Sequence, residues 1–292
     1  MEQNSNMSQV VINTIHAIFS GLFKSIDTNL FKVLDDLTFI NSNILNDKYF
    51  GKIFGTNSTN GILLIANALL FGYLLYYSAK YLSSNLTFSK IEKPTQFVFK
   101  IIIYAIAMNC SYFIIGQILE INSNITSAVR SIGEDLFKQN ICFSKLIESI
   151  NSNLKITESN FNIFSVDGLI KGTTTISLVN LVTVYALRYV TIKILVLISP
   201  FAILSLSLES TAMFFKLWIR NLISMLFIQI IVSLVLLILF SVDYNSGDLM
   251  VRFVYIGGIY SLIKANSFVK EFMMGTGIST NVQSNIGIVK GG

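Results

Sequence analysis

Residues 217–240 read LWIRNLISMLFIQIIVSLVLLILF. After Arg220 no charged side chain appears before Asp243. As a helix the run is long enough to cross a hydrocarbon core ~30 Å thick. Trp218 and Arg220 stand at one end, where an aromatic ring and a cation mark a membrane–water interface. Comparable runs cover 62–82, 97–119, 173–208 and 249–265. The reading is an all-α, polytopic membrane protein with about five transmembrane helices.

The composition agrees. Of the 292 residues, 53% are hydrophobic and 13% charged, and the mean hydropathy is +0.65. A soluble domain carries about 25% charged residues, so there is too little charge here to cover a water-facing surface. The high hydrophobicity also excludes disorder. Net charge is 21 − 16 = +5, spread over loops rather than gathered into a basic stripe that would bind nucleic acid. The two cysteines, Cys110 and Cys142, make no disulfide framework.

The chain divides by polarity. Residues 1–60 hold an amphipathic helix over 8–40. It is too polar to span, and either packs on the protein or lies at the membrane interface. Its start lacks the basic residues of a cleavable signal peptide. Spans one and two occupy 61–119, a large polar loop 120–172, spans three to five 173–268, and a flexible tail 269–292. The third segment is too long for one straight crossing, and Pro200 is expected to bend it. Two separate spans broken near Arg188 are the competing reading. Lys80, Lys90 and Lys93 in the first short loop place that loop in the cytoplasm. The N-terminus and the 120–172 loop then lie outside, and the C-terminus lies inside.

Catalytic chemistry is not evident. His16 is the only histidine, which leaves no His-rich metal site. Residues 167–174 lack the Gly-Lys-Ser/Thr order of a phosphate loop. Asp35-Asp36 reads as a solvated helix face. The chain is therefore not expected to be an enzyme, and no cofactor or metal is expected.

What stands out is polarity inside the apolar runs. At 100° per residue Thr173, Ser177, Asn180, Arg188 and Thr191 share one face of the third segment, with Lys193 following. An intramembrane cation points to function. The face either lines a translocation path or subunit interface, or packs on another helix while Arg188 snorkels. Asn67, Asn109 and Gln117 are expected to hydrogen-bond across helices, and Gly257, Ser261 and Ala265 form a small-residue ridge suited to close packing, as do Ala68 and Gly72.

The run Arg188-Tyr189-Val190-Thr191-Ile192-Lys193-Ile194-Leu195-Val196-Leu197-Ile198-Ser199-Pro200-Phe201-Ala202, followed by Trp218 and Arg220, resembles the central signature of the VirB6/TrbL family. Those proteins are polytopic inner-membrane components of bacterial type IV secretion and conjugation machines. The resemblance covers 185–225 in motif and about 60–275 in layout. It implies a structural or channel subunit that helps form the path for DNA or effector protein. It also implies a homo-oligomer contacting membrane lipid, other secretion subunits and transient cargo. A small-solute transporter or ion channel is the alternative, although no internal repeat supports it.

Overall fold

The computed structural model describes residues 2–56, 60–87, 93–153, 165–207, 210–242 and 249–274. Among them about 90% are helical and no strand occurs, so the all-α expectation stands. Ten helices follow in order: α1 Glu2–Thr38, α2 Lys48–Phe54, α3 Ile62–Thr87, α4 Pro94–Asn109, α5 Ser111–Phe137, α6 Phe143–Asn153, α7 Val166–Leu197, α8 Ser199–Leu204, α9 Ala212–Ser241 and α10 Leu249–Met274. Most of the tail expected over 269–292 lies outside the described residues.

α9 is the axis. Its charge-free run is apolar on all sides, and a helix of that kind is stable only when surrounded. Leu222, Leu226, Ile228, Val232, Leu236 and Leu239 are all buried. α5 and α10 pack along it, and α7 and α8 also touch it. Printed contacts fix the directions. Trp218, near the start of α9, bonds to Leu195 near the end of α7, while Gln229 meets Arg188. α7 therefore runs antiparallel to α9. Tyr112, at the start of α5, bonds to Leu45 O, and Asp47 nearby pairs with Lys193. At the far end a Cβ on Gly133 of α5 would lie 2.6 Å from Leu237. α5 therefore runs parallel to α9. α10 returns antiparallel: Gly258 abuts Leu239, and Leu262 O accepts from Tyr185 Oη.

A second cluster, Ala66, Leu70, Phe97, Ile101, Met108 and Ile203, joins α3, α4 and α8. The chain bends by 57° between α4 and α5 at Cys110. This corrects the straight second span expected over 97–119. It also corrects the external loop expected from residue 120, because residues 120–137 continue α5 alongside α9. The third segment begins earlier than expected, at Val166, and passes Arg188 as unbroken helix. The break comes at Ile198, two residues before Pro200. Pro200 sits in the first turn of α8, where its missing N–H removes no helical bond.

Among the described residues three helices are long and apolar enough to cross a membrane, α3, α7 and α9, and the bent α4–α5 pair adds a fourth only if the two count as one span. The apolar part of α10 is shorter, Phe253–Ala265. Phe71, Phe99, Ile176, Leu187, Ile238 and Phe253 are exposed, a larger apolar surface than a water-soluble monomer presents. α1 packs on the protein over part of its length. Phe23, Leu34 and Thr38 are buried and the helix packs on α6 and α7, whereas Val10, Val11, Ile18 and Leu22 stay exposed.

Candidate functional site

The centre of the molecule holds a cation. Arg188 is 2% exposed, and no carboxylate pairs with it among the described residues. Its Nη2 donates to Thr38 O at 3.0 Å and to Gln229 Oε1 at 3.3 Å. Thr38 is the last residue of α1, so its carbonyl is one of the four that a helix cannot satisfy internally. The guanidinium thus caps α1 at the negative end of its dipole. Gln229 Oε1 also accepts from Ile40 N at 3.1 Å. One amide oxygen thereby joins the chain leaving α1 to the cation on α7. The Arg188 Cζ lies 5.6 Å from the Tyr185 ring centroid, while Nε and Nη1 have no hydrogen-bond partner.

The rest of the signature gathers two to four turns further along the chain. Trp218 Nε1 donates to Leu195 O at 2.8 Å, satisfying a carbonyl in the last turn of α7. Ser199, Pro200 and Ala202 are buried at the α7–α8 break. Arg220 is half-buried, with Nε unpartnered. These residues knit α7, α8 and α9 into one junction.

Of the expected polar face, only Arg188 leaves the surface. Arg188 lies about 60° round the helix from Thr191, and that offset turns it into the core. Thr173 and Asn180 are exposed, and Ser177 and Thr191 are half-buried. Thr173 and Thr191 instead bond back to carbonyls of their own helix. Lys193 lies off that face and pairs with Asp47 Oδ2 at 3.2 Å, over the rings of Tyr189 and Phe50. Asp47 caps α2 by accepting from Tyr49 N at 3.1 Å. That bond and the Lys193 ammonium hold its carboxyl below the usual carboxylate range. A depressed folded pKa gives stability that is present above the unfolded value of about 3.9 and is lost as pH falls through the folded one. The protection of the α2 amides, exchange rates being divided by their intrinsic rates at each pH, is therefore expected to fall at acid pH, and Asp47→Asn should remove that dependence.

Asp35 is not the solvated face expected of it. Its Oδ1 accepts from Phe143 N at 2.8 Å, and its Oδ2 from Ser144 N at 3.3 Å and Ser144 Oγ at 2.7 Å. It caps the start of α6 from a different helix, where an anion suits the dipole. Asp36 beside it is exposed. Asp35→Ala should destabilise α6 by about 1–3 kcal/mol, the cost of leaving charge-assisted donors unpaired. Faster exchange of the Phe143 and Ser144 amides is the readout.

Asn67 and Asn109 bond reciprocally across α3 and α4, each at 3.2 Å, while Gln117 is exposed. Gly257 and Ser261 face outward, and a Cβ on Gly257 meets nothing within 4 Å; only Ala265 of that ridge is buried. The close contact belongs to Gly258, whose Cβ would run into the Leu239 side chain. Ala68 and Gly72 are also exposed. Both cysteines are free. Among the described residues no group of three His, Cys, Asp or Glu side chains is placed to hold a metal. Sequence reasoning missed Thr38, Gln229 and Asp47. For Gln229 a signal existed: it is the only amide in the charge-free run after Asn221. No protein-family model matches this chain, and no curated protein matches it.

Proposed function

We propose that this chain is a membrane-embedded structural or channel subunit of a bacterial type IV secretion machine. The observation that carries the reading is the convergence of the signature residues. Arg188 is buried against Gln229, Trp218 ties α9 to the end of α7, and Ser199, Pro200 and Ala202 fill the break between them. Residues that resemble a family pattern in sequence thus lie along one stretch of α7–α8 and its contacts with α9, which supports the reading.

The layout supports multi-pass insertion in the cytoplasmic membrane. Successive helices α5, α7, α9 and α10 alternate in direction, as consecutive crossings must, and α3 adds a further apolar run of spanning length. Lys216 and Arg220 at the start of α9 share one end of the bundle with Lys193 and Lys48. That end is the cytoplasmic one by the positive-inside rule, which puts the C-terminus inside after α9 and α10. In this role the chain catalyses nothing. It assembles with its own copies and with other secretion subunits, and DNA or effector protein passes as cargo.

Deletion of the coding sequence in its host, followed by complementation, tests the reading. Loss of DNA or effector transfer, restored by the intact chain, is expected. Undiminished transfer in the deletion strain overturns it.

A further inference from the structure

Residues 111–137 contain a feature that no loop or lipid-facing helix accounts for. α5 presents three arcs at 100° per residue. Ile115, Leu119, Asn122, Thr126 and Gly133 are buried within an arc of about 60°. Ile121, Ile125, Ile132 and Leu136 form an adjacent exposed aliphatic arc. Gln117, Glu120, Asn124, Ser127, Ser131 and Asp135 are exposed over a further arc of about 80°.

The depth of that polar arc follows from its neighbours. The start of α5 reaches the end of α7 and the start of α9 through Tyr112, Leu45, Asp47, Lys193, Leu195 and Trp218. Its far part meets Leu237 at Gly133. With both ends pinned and the helices parallel, Asn124 falls level with Gln229 and Ser131 close to Leu236. Those positions lie inside the charge-free run of α9. Exposed amide, hydroxyl and carboxylate groups at that depth are costly against hydrocarbon. They are stable against water. The arc carries Glu120 and Asp135 but no Lys or Arg. Arg130, the one cation in α5, is half-buried, donating to Ile141 O at 2.7 Å and lying over Phe39.

We propose that α5 forms the wall of a water-filled, cation-preferring path at membrane depth. This rests on the membrane placement above and, because an acidic wall repels DNA, deepens only the effector-protein branch of that reading. It moves the candidate lumen face from α7, whose Arg188 is sealed in the core, to α5.

Single cysteines at Asn124, Ser131, Ile125 and Ile132, in a Cys110→Ser, Cys142→Ser chain, test it in native membranes. The probes are two membrane-impermeant methanethiosulfonates, one carrying trimethylammonium and one carrying sulfonate. A hydrated thiol ionises and reacts, whereas one against lipid does not. The cationic reagent is therefore expected to modify the Asn124 and Ser131 positions at least about tenfold faster than the Ile125 and Ile132 positions. Its advantage over the anionic reagent at the first two should exceed the ratio that the same pair of reagents shows on a free thiol in solution. Slow reaction at all four positions overturns the path, and equally fast reaction at all four places α5 outside the bilayer. Anionic modification as fast as cationic, relative to that free-thiol ratio, removes the cation preference. The underlying readings fail in other ways. Recovery of the chain without detergent ends the membrane placement, and transfer by the deletion strain ends the secretion role while leaving the labelling pattern intact.

Discussion

Gln229→Leu is expected to cost about 3–5 kcal/mol, the usual penalty for removing one partner of a buried charge. The substitution strips Arg188 of one of its two acceptors and leaves the Ile40 amide unpaired. Two guanidinium nitrogens already lack partners, so the site has no reserve. Arg188→Met should be much milder, because it deletes the desolvated charge while retaining the apolar stem. The double variant should recover part of the Gln229→Leu loss. Thermal unfolding in mild detergent, followed by helical circular dichroism, measures all three. Equal losses for the two single variants, without recovery in the double, would show that the guanidinium is not what Gln229 serves.

Gly258→Leu should destabilise by at least about 3 kcal/mol, while Gly257→Leu, one residue away, should be neutral or slightly stabilising. A Cβ on Gly258 would clash with Leu239 Cδ2 and lie 2.8 Å from its Cδ1, so the buried Leu239 side chain must be displaced, or α9 and α10 part, to admit a leucine. Overpacking of that kind usually costs 1–3 kcal/mol with small additions, and about the upper end or more with a whole leucine. Gly257 opens outward, where leucine adds only helix propensity, about 0.8 kcal/mol. The same thermal assay separates them, and a reversed order would place the helix contact on the other face.

Several features were legible because they are local. The charge-free stretch before Asp243 announces a surrounded helix whatever its neighbours are, and Pro200 restricts the backbone near the α7–α8 break. Asn67 and Asn109 were expected to bond across helices, since a buried amide in an apolar run has few other outlets. What was not legible depends on tertiary register. A rotation of about 60° decides whether Arg188 reaches a lumen or the core, and periodicity does not resolve it. Asp35 looked solvated because its role lies on a helix over a hundred residues later. Residues 120–137 read as a loop because Glu120, Arg130, Glu134 and Asp135 are polar. The glycine and small polar residues that seat this helix on α9 carry no hydropathy signal.

The position of α9 along the chain also constrains assembly. The ribosome makes α5 and α7 before the helix on which α5 packs and from which Gln229 reaches Arg188. Until α9 emerges, the guanidinium on α7 lacks its amide partner, and the packed side of α5 has nothing to rest on. The nascent chain must therefore wait, half-assembled, for its keystone. A polypeptide truncated before residue 212 should be degraded rather than accumulate as a smaller subunit.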